Sequence, residues 1–596
     1  MGSTWTRRAV GYTGGVLAAL VLVAGCGGNS PDSASKSTPE PAAPGTKMQE
    51  VAGGGDSVAS EQTLYTTGTQ WGPYSDLNPF KNWDYVTGTV GLAYETLYRY
   101  DPLADKFIPW LATDGKWADE TTYVATIRDG VKWNDGKPFT PADVKFTMDL
   151  LKFETHPQHT LWTTGLQDVT VDGNDVTFKF SGTPNYQEFD NYLFNVPIVP
   201  EHVWSAFDEE TVVGGNIDDP DKLVGTGPYV YGGGLNSTQS FTWKRRDDPW
   251  WATEALDLNA APAKIIDIFN GSNAASLGNL LAGKLDISNN FVPGIQKQVG
   301  DKIGTYYADA PFMLSANTTW LFPNTTRKPL DDPAFRRALA YSLDLDKIVT
   351  ADYGGIVKKA DPTGLLPIWD KYIDKAVVQE KGFSYDPAKA KQLLEEAGYK
   401  DADGDGYVEN KDGSKIDLDL MVPNGWSDWM TAIQIISRGA KPAGIKITTK
   451  TPDYDTLVED RGKGDFDLVL ANDRQISNTP WTYYDYIYRL PILDNQTTVN
   501  YGRFEDQAAW DLVQKLDQTP TDDLEGMQKI TSQLQSTFLD QLPVIPLWYN
   551  GLWAQWNTGN WSNWPSDTGH QVLPAMWRNY LQMTGIDMLT HLTAAE

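Results

Sequence analysis

The chain has 596 residues, and its 78 Asp and Glu outnumber its 49 Lys and Arg, which gives a formal net charge of −29. So acidic a chain argues against nucleic acid and anionic lipid surfaces as partners. The length is more than one hydrophobic core fills, so two or three domains are expected. The 23 Trp and 28 Tyr suit a protein that binds ligands with flat apolar faces and polar edges.

The first 25 residues have the parts of an export signal. Arg7 and Arg8 precede an apolar run, GVLAALVLVA at 15–24, which is too short to span a bilayer. Gly25 supplies a small residue, and Cys26, the only cysteine, follows it. This pattern resembles the bacterial lipobox, in which cysteine becomes the acylated first residue. The alternative is an ordinary secretory signal with an incidental cysteine. We predict a signal peptide at 1–25 and a lipid anchor on Cys26, at the extracytoplasmic face of the bacterial membrane.

A tether follows the signal. Residues 26–59 are rich in Ser, Pro, Ala and Gly and contain little apolar surface to bury. We therefore predict that this segment is disordered and that the folded part begins near residue 60. Since no cysteine lies after Cys26, the folded part has no internal disulfide.

The first half of the folded part mixes strands and helices. LYTTGT at 64–69 predicts a strand, and the apolar spacing of VTGTVGLAYETLYRY at 86–100 predicts a helix. PADVKFTMDLLKF at 141–153 predicts a helix, with Thr140 as its N-cap. VTVDGNDVTFKFSG at 169–182 predicts a hairpin.

The second half predicts an α/β domain. Helices are expected at 331–349 and at 388–399, the latter ending at Gly398. A strand, a helix and a strand follow in turn over 416–453, and this alternation indicates parallel pairing with a crossover helix. The aromatic run VIPLWYNGLWAQW at 544–556 predicts one more strand.

Seven short motifs resemble those of the family 5 extracellular solute-binding proteins of ABC transporters. They are YETLY (94–98), LAT (111–113), IRDGVKWNDG (127–136), DV (143–144), GTGPY (225–229), RRALAY (336–341) and LLEEAGY (393–399). A second set is similar to passages of the members that bind cellobiose and β-glucan or β-mannan oligosaccharides. It comprises NPFKNWDYVTGTVGLAYE (78–95), NNFVPG (289–294), APFMLSANT (310–318), NGWSDWM (424–430) and PLWYNGLWAQW (546–556).

The resemblance implies an α/β, periplasmic-binding-protein-like fold, with two large lobes that close about a hinge and a third, smaller domain. Lobe I is expected to be discontinuous, domain II inserted into it, and lobe III to follow. The expected bounds are 60–105, 223–312 and 545–596 for lobe I, 106–222 for domain II and 313–544 for lobe III.

The resemblance also implies the function. The protein would capture cello- or manno-oligosaccharides between its closing lobes and deliver them to an ABC permease, as a monomer that needs no cofactor. An oligopeptide-binding member of the same family is the alternative. A glycosidase would need two carboxylates flanking the bond, and no local pair of acids stands out, so no catalytic residue is predicted.

Tryptophan and asparagine in loops are the candidate ligand contacts. Aromatic rings stack on the C–H faces of sugars, while planar amide and carboxyl groups bond to the hydroxyl edges. For each Trp, packing in a core is the alternative. The candidates are Trp71, Asn78, Asn289, Asn290, Phe291, Asn424, Trp426, Asp428, Trp429, Trp548, Asn550 and Trp553.

One acidic loop has the spacing of a calcium site. It reads D-x-D-x-D-G-x-x-E, and oxygen ligands at such positions wrap one Ca²⁺. Position 12 is Asp where Glu is usual, and a strand follows the loop, so no paired EF-hand is predicted. The alternative is a solvated acidic turn. The candidate ligands are Asp401, Asp403, Asp405, Tyr407 through its backbone, Glu409 and Asp412.

Overall fold

A computed structural model gives the fold. It describes residues 62–67, 74–81, 86–269, 273–300, 302–576 and 583–595. The predicted signal, tether and anchor at Cys26, and the candidate Trp71, lie outside the described residues. Within the described residues, no helix combines the length and the apolar character needed to cross a membrane.

Lobe I is built on a seven-stranded sheet. Thr63–Thr67 lies at its centre and pairs in parallel with Lys264–Ile268 on one side and Ile287–Ser288 on the other. From edge to edge the strands are Ile303–Thr305, Gln555–Asn557, Ile287–Ser288, Thr63–Thr67, Lys264–Ile268, Ser240–Arg245 and Tyr229–Gly233. Its helices are Trp251–Leu256, Asn273–Leu281 and Thr584–His591, with a short turn at Ile295–Lys297. Tyr98–Asp101 pairs with Lys106–Pro109, and Trp561–Ser562 with Thr593–Ala594.

The helix predicted over 86–100 is wrong. Only a five-residue turn forms, at Thr89–Ala93, in which Val90 is extended, and Tyr98–Asp101 is a strand. Gly88 and Gly91 have φ of 94° and 100°, a left-handed conformation that stops a helix. A Cβ on Gly88 would lie 2.7 Å from the Trp243 indole nitrogen, so glycine is also needed for close packing.

Domain II is a four-stranded antiparallel sheet with helices beside it. The strands, in spatial order, are Ala112–Asp119, Thr122–Ile127, Asp175–Phe180 and Leu166–Asp172. The helices are Pro141–Leu150, Thr160–Thr163, Tyr186–Asn195, Glu201–Trp204 and Glu209–Val212, with a turn at Pro220–Lys222. The predicted hairpin is confirmed, and the predicted helix begins at Pro141, where Thr140 and Asp143 form a capping box.

Lobe III carries a six-stranded sheet. Its strands, in spatial order, are Lys358–Lys359, Ile545–Gly551, Ser315–Pro323, Leu468–Ala471, Leu418–Met421 and Ile447–Lys450. Leu418–Met421 pairs in parallel with Ile447–Lys450 across the helix Ser427–Ala440, as the alternation over 416–453 predicts. The other helices are Pro333–Tyr341, Leu345–Lys347, Ile348–Asp352, Pro367–Tyr372, Lys375–Lys381, Pro387–Ala397, Lys441–Ala443, Tyr454–Lys463, Trp481–Tyr488, Gln507–Asp517 and Leu524–Gln541.

The aromatic run at 544–556 is two strands, not one. Ile545–Gly551 belongs to the lobe III sheet, whereas Gln555–Asn557 belongs to the lobe I sheet. Ile545–Gly551 thus pairs into the sheet of the part expected as lobe III, although the expected bounds assign these residues to lobe I. Continuous apolar character conceals the change of sheet, because both strands are buried. The chain makes this crossing in three residues, 552–554.

The apolar side chains form two cores. One contains Trp320 and Leu420 of lobe III and extends into lobe I through Phe291 and Ile303 and into domain II through Phe194. The other joins Leu64 of lobe I with Phe178 of domain II. Domain II therefore shares most of its core with lobe I.

Candidate ligand-binding cleft

One edge of the lobe III sheet collects loops from four strands. Leu418–Met421 and Leu468–Ala471 are parallel, so their carboxyl ends meet at this edge. Ser315–Pro323 is antiparallel to the latter and begins there, and Ile545–Gly551 ends there. Ligands of open α/β sheets bind outside the carboxyl ends of the strands. The edge also faces the crossing into lobe I, so it lies at the junction of the two lobes.

Four neutral amides mark this edge, and we call them the amide group: Asn317, Asn472, Gln475 and Asn550. Asn317 Nδ2 donates to Gln475 Oε1 at 2.7 Å, and Asn472 Nδ2 donates to Asn317 Oδ1 at 3.1 Å. Asn550 lies opposite Asn317 in the ladder. Its buried Oδ1 accepts no hydrogen bond from the residues that the structure describes.

The segment that follows Gln475 holds further buried polar atoms. Asn478 Nδ2, Trp481 Nε1 and Thr482 Oγ1 have no hydrogen-bond partner within the described part of the chain. Burying such a group unpaired costs about 1–3 kcal/mol, so three in five residues is a strong departure from ordinary packing. All three are uncharged, and their natural complement is a molecule rich in hydroxyl or carbonyl groups.

Four aromatic residues pack where the chain crosses between the lobes, and we call them the aromatic cluster: Phe291, Tyr353, Trp548 and Trp553. The rings of Tyr353 and Trp553 are stacked, with centroids 6.0 Å apart and planes inclined by 7°. Phe291 meets Trp553 edge-on at 5.3 Å, and Trp548 lies 5.4 Å from Tyr353. Phe291 comes from lobe I and Tyr353 from lobe III, so the cluster joins both lobes.

Two acids flank the aromatic cluster. Tyr353 donates its hydroxyl hydrogen to Asp428 Oδ2 at 3.1 Å. Burial raises the pKa of Asp428 to about 6. Burial, followed by the charge of Asp428, raises the pKa of Asp352 to about 8. At neutral pH Asp352 is therefore mostly protonated, and the pair carries about one negative charge.

Comparison with known proteins identifies the family. The model of the family described as "Bacterial extracellular solute-binding proteins, family 5 Middle" matches residues 106–491. The chain belongs to family 5 of the bacterial extracellular solute-binding proteins. Members are non-enzymatic binding proteins of ABC importers, so a ligand and a permease are its partners.

Individual relatives of this family 5 protein bind different ligands. One relative is an oligopeptide ABC transporter periplasmic binding protein of Thermotoga maritima, whose crystal structure has mannohexaose bound. Its sequence is 37% identical to this chain, and the two structures superpose with a TM-score of 0.84. The match covers 90% of this chain and 100% of that one. A probable peptide-binding protein, YejA, of Agrobacterium fabrum is 25% identical over 83% of this chain and 85% of its own length. The oligopeptide-binding protein AppA of Bacillus subtilis, with a nonapeptide bound, shares the fold at 22% identity and a TM-score of 0.72, covering 90% of this chain and 99% of AppA.

Three asparagines predicted as ligand contacts use their side-chain amides for hydrogen bonds within this family 5 protein. Both amide hydrogens of Asn78 go to the carbonyls of Thr211 and Gly215, and those of Asn289 to the carbonyls of Trp553 and Pro574.

The third of these asparagines is also fully engaged. Asn290 donates to Asn273 Oδ1 and to the Phe291 carbonyl, while its Oδ1 accepts from Ser276 and Ser288. All three asparagines are buried and their amides already bond within the protein, while their contact with a ligand stays a prediction.

The other predicted residues lie on the lobe III edge. Asn424 is exposed and follows Leu418–Met421, and Trp426 directly precedes the helix Ser427–Ala440. Trp426 packs edge-on against buried Trp429 at 4.9 Å and stacks with Tyr454 at 6.0 Å. Trp429 thus anchors the loop, while Asn424 and half-buried Trp426 are presented to solvent. Within the amide group, only Asn550 was selected from sequence.

The acidic loop brings four of its predicted ligands together. Single carboxylate oxygens of Asp401, Asp403, Asp405 and Glu409 lie within 4.8 Å of one another, which suits one Ca²⁺. Asp412 is not in this group, because its Oδ1 accepts from the Ser414 backbone and hydroxyl.

A lysine already occupies this cluster. Lys415 Nζ contacts Asp403, and it lies 2.7 Å from Asp405 and 2.8 Å from Glu409. An ion would have to displace this ammonium, so Lys415 would compete with calcium for the cluster.

Calcium is expected to raise the melting temperature of the protein above that measured with a chelator, because an ion bound only by the folded state stabilises it. Lys415→Met should increase calcium affinity about tenfold or more, since it removes the competing charge. Thermal melts with calcium and with chelator measure both effects. If the melting curves with calcium and with chelator superimposed for both proteins, the acidic loop would not be a calcium site.

Proposed function

We propose that this family 5 protein captures β-linked oligosaccharides, of the cello or manno type, at the lobe III edge and delivers them to an ABC permease. The observation that carries the proposal is the chemistry of the edge. Asn478, Trp481, Thr482 and Asn550 each hold a buried polar atom without a hydrogen-bond partner in the described part of the chain, and all four side chains are uncharged. Sugar hydroxyls both donate and accept hydrogen bonds, so they satisfy amide oxygens and N–H groups without bringing a charge into the cleft.

The aromatic cluster supports the same ligand class. Trp553 lies in the crossing segment and packs against rings of both lobes. An aromatic wall beside neutral amides fits a ligand with apolar faces and hydroxyl edges. The mannohexaose complex of the Thermotoga maritima protein adds support, since that protein is 37% identical over its whole length.

A peptide ligand remains the second candidate because of one observation. Asp352 and Asp428 carry about one negative charge beside the aromatic cluster, and burial keeps the pKa of both above the ordinary range. A peptide amine could neutralise that charge. The peptide-binding names of relatives such as YejA and AppA point the same way.

Calorimetry with mannohexaose, cellohexaose and a nonapeptide should separate the two functions. We expect heat and a change in tryptophan fluorescence with at least one of the two β-1,4-linked sugars and none with the peptide. Heat with the peptide alone would replace our proposal by the second candidate.

Asn550→Asp tests the chemistry of the edge directly. The substitution adds a buried charge beside Asn317, which an uncharged sugar cannot neutralise, so sugar affinity should fall about tenfold or more. A ligand with an amine would bind equally well or better. Asn236→Asp, an exposed position in lobe I, is the matched control and should leave affinity unchanged.

We also propose that Cys26 is acylated, which would hold the binding protein beside its permease. The support is the position of the only cysteine directly after the apolar run of the signal. Membrane fractionation tests it, because Cys26→Ala should release the protein into the soluble fraction.

A further inference from the structure

Domain II meets lobe III through a polar seam. Asn185 Nδ2 donates to Asp517 Oδ2 at 2.7 Å, and the Glu188 backbone N–H donates to Asp517 Oδ1 at 2.9 Å. Gln187 donates to the Thr519 carbonyl at 2.9 Å and accepts from Thr479 at 2.6 Å. We call residues 185–188 with Thr479, Asp517 and Thr519 the polar seam. At the polar seam, hydrogen bonds join domain II to lobe III.

Acids outnumber bases inside the seam. Glu188, Asp485 and Asp517 are all at most 5% exposed, and the cation beside them is Arg489. Arg489 Nε donates to Asp485 Oδ1 at 2.6 Å, so its hydrogen bond goes to Asp485, while its charge also lowers the pKa of Glu188 against the larger effect of burial. Glu188 accepts from the Thr164 hydroxyl at 2.7 Å. The carboxylates of Glu188 and Asp517 therefore face each other's charge with neutral donors as direct partners.

Other titratable groups at the seam do not supply the missing positive charge. Tyr192, on the helix of Glu188, has its pKa raised by burial and then by the Glu188 charge. Burial raises the pKa of Asp190, on the same helix, to about 7, and the charge of Asp522 of lobe III adds to this effect. Burial also raises the pKa of both Glu188 and Asp517. The seam is thus acid-rich on both of its faces.

The seam is a contact that an opening of lobe III away from lobe I would break. Domain II shares most of its apolar core with lobe I, as Phe178 and Leu64 show, so domain II would stay with lobe I in that motion. Opening returns Glu188 and Asp517 to water, where both ionise readily. Closing removes them from water again, and two uncompensated buried charges are costly.

We propose that closure of domain II on lobe III takes up a proton at the Glu188–Asp517 pair, so that ligand is held more tightly in mildly acidic solution than at neutral pH. The inference rests on the proposed function, because the ligand is what closes the lobes. It adds a proton-linked control that ligand capture alone does not require.

The sign follows from the raised pKa values. A carboxyl whose pKa is higher in the closed state favours closure fully below its ordinary value, near 4.5. That advantage is lost as the pH rises towards the raised pKa, at about 7 for Glu188. One proton taken up per closure weakens binding about tenfold for each pH unit within that window.

Calorimetry of mannohexaose binding between pH 5.5 and 7.5 tests the proposal, because the sugar does not titrate in this range. Wild type is expected to bind at least tenfold more weakly at pH 7.5, with proton uptake visible as a dependence of the heat on buffer ionisation enthalpy. Glu188→Gln imitates the protonated acid. It should bind more tightly than wild type at pH 7.5 and lose most of the pH dependence.

The matched control is Glu395→Gln, an exposed position of lobe III, which should keep the wild-type profile. Asp352 and Asp428 titrate in the same range, so the decisive quantity is the difference between wild type and Glu188→Gln. Equal pH profiles for these two proteins would overturn the proposal.

Failure to bind mannohexaose at either pH counts against the proposed sugar function and is a separate result. The proton-linked closure is then tested on the ligand-free chain, by measuring its radius of gyration with small-angle scattering. Wild type should contract between pH 8 and pH 5, while Glu188→Gln should be contracted at both. A wild-type radius of gyration that does not change with pH would overturn the proposed proton-linked closure in that case.

Discussion

Glu95→Ala is expected to lower the free energy of unfolding by roughly 3–5 kcal/mol. The Glu95 carboxylate is fully buried and accepts three indole N–H groups. The donors are Trp110 at 2.9 Å, Trp250 at 3.2 Å and Trp251 at 2.7 Å. Alanine would leave all three unpaired in the core and add a cavity. Chemical denaturation measures the loss.

Two further variants show whether the acceptor itself matters. Glu95→Gln keeps one carbonyl oxygen and the shape of the side chain, so it should lose less stability than alanine. Glu254→Ala removes an exposed acid from the neighbouring helix Trp251–Leu256 and should change stability by less than about 0.5 kcal/mol. A Glu95→Ala protein as stable as Glu254→Ala would contradict the role given to the carboxylate.

Trp553→Ala is expected to weaken mannohexaose binding about 30- to 100-fold, an effect of about 2–3 kcal/mol that is typical of a central aromatic contact. Trp553 stacks with Tyr353 and meets Phe291, so its loss also unties the aromatic cluster that joins the lobes. Calorimetry measures the affinity, and thermal melts check that the variant is folded.

A matched pair of conservative variants controls for general loosening. Trp553→Phe keeps a ring at the crossing and should lose less than tenfold in affinity. Trp162→Phe changes a half-buried Trp of domain II, whose indole donates to the Met148 carbonyl, and should leave affinity unchanged. If Trp553→Ala kept full affinity for mannohexaose, Trp553 would not be a ligand contact.

Local elements with strong end signals are predictable from this sequence. The helix Pro141–Leu150 has a capping residue and proline at its start, and Pro387–Ala397 has a left-handed glycine at its end. The parallel pair Leu418–Met421 and Ile447–Lys450 follows from the alternation of elements. The segment 86–100 fails, because its apolar spacing is helical while Gly88 and Gly91 take left-handed conformations.

The cleft is less predictable, because it depends on which loops the fold gathers. Asn78, Asn289 and Asn290 stand in aromatic, Gly- and Pro-rich passages like true ligand contacts, yet their amides bond to distant backbone or to buried neighbours. Asn472 and Gln475 follow Leu468–Ala471 and carry no local signal beyond that position. The rule that ligands bind at carboxyl ends of strands would have selected Asn472.

The shortness of the crossing between Gly551 and Gln555 fixes how the protein can open. Three fully extended residues reach only about 10–11 Å, and the Leu552 backbone N–H also donates at 2.7 Å to the carbonyl of Leu314, which lies in the other link between the two sheets, from Ile303–Thr305 to Ser315–Pro323. A translation of the lobes apart is therefore confined to the reach of this short segment, and an opening motion would be a rotation about it. Trp553 lies on that segment and would move little, whereas Glu188 and Asp517 lie in the polar seam, which such a rotation would separate.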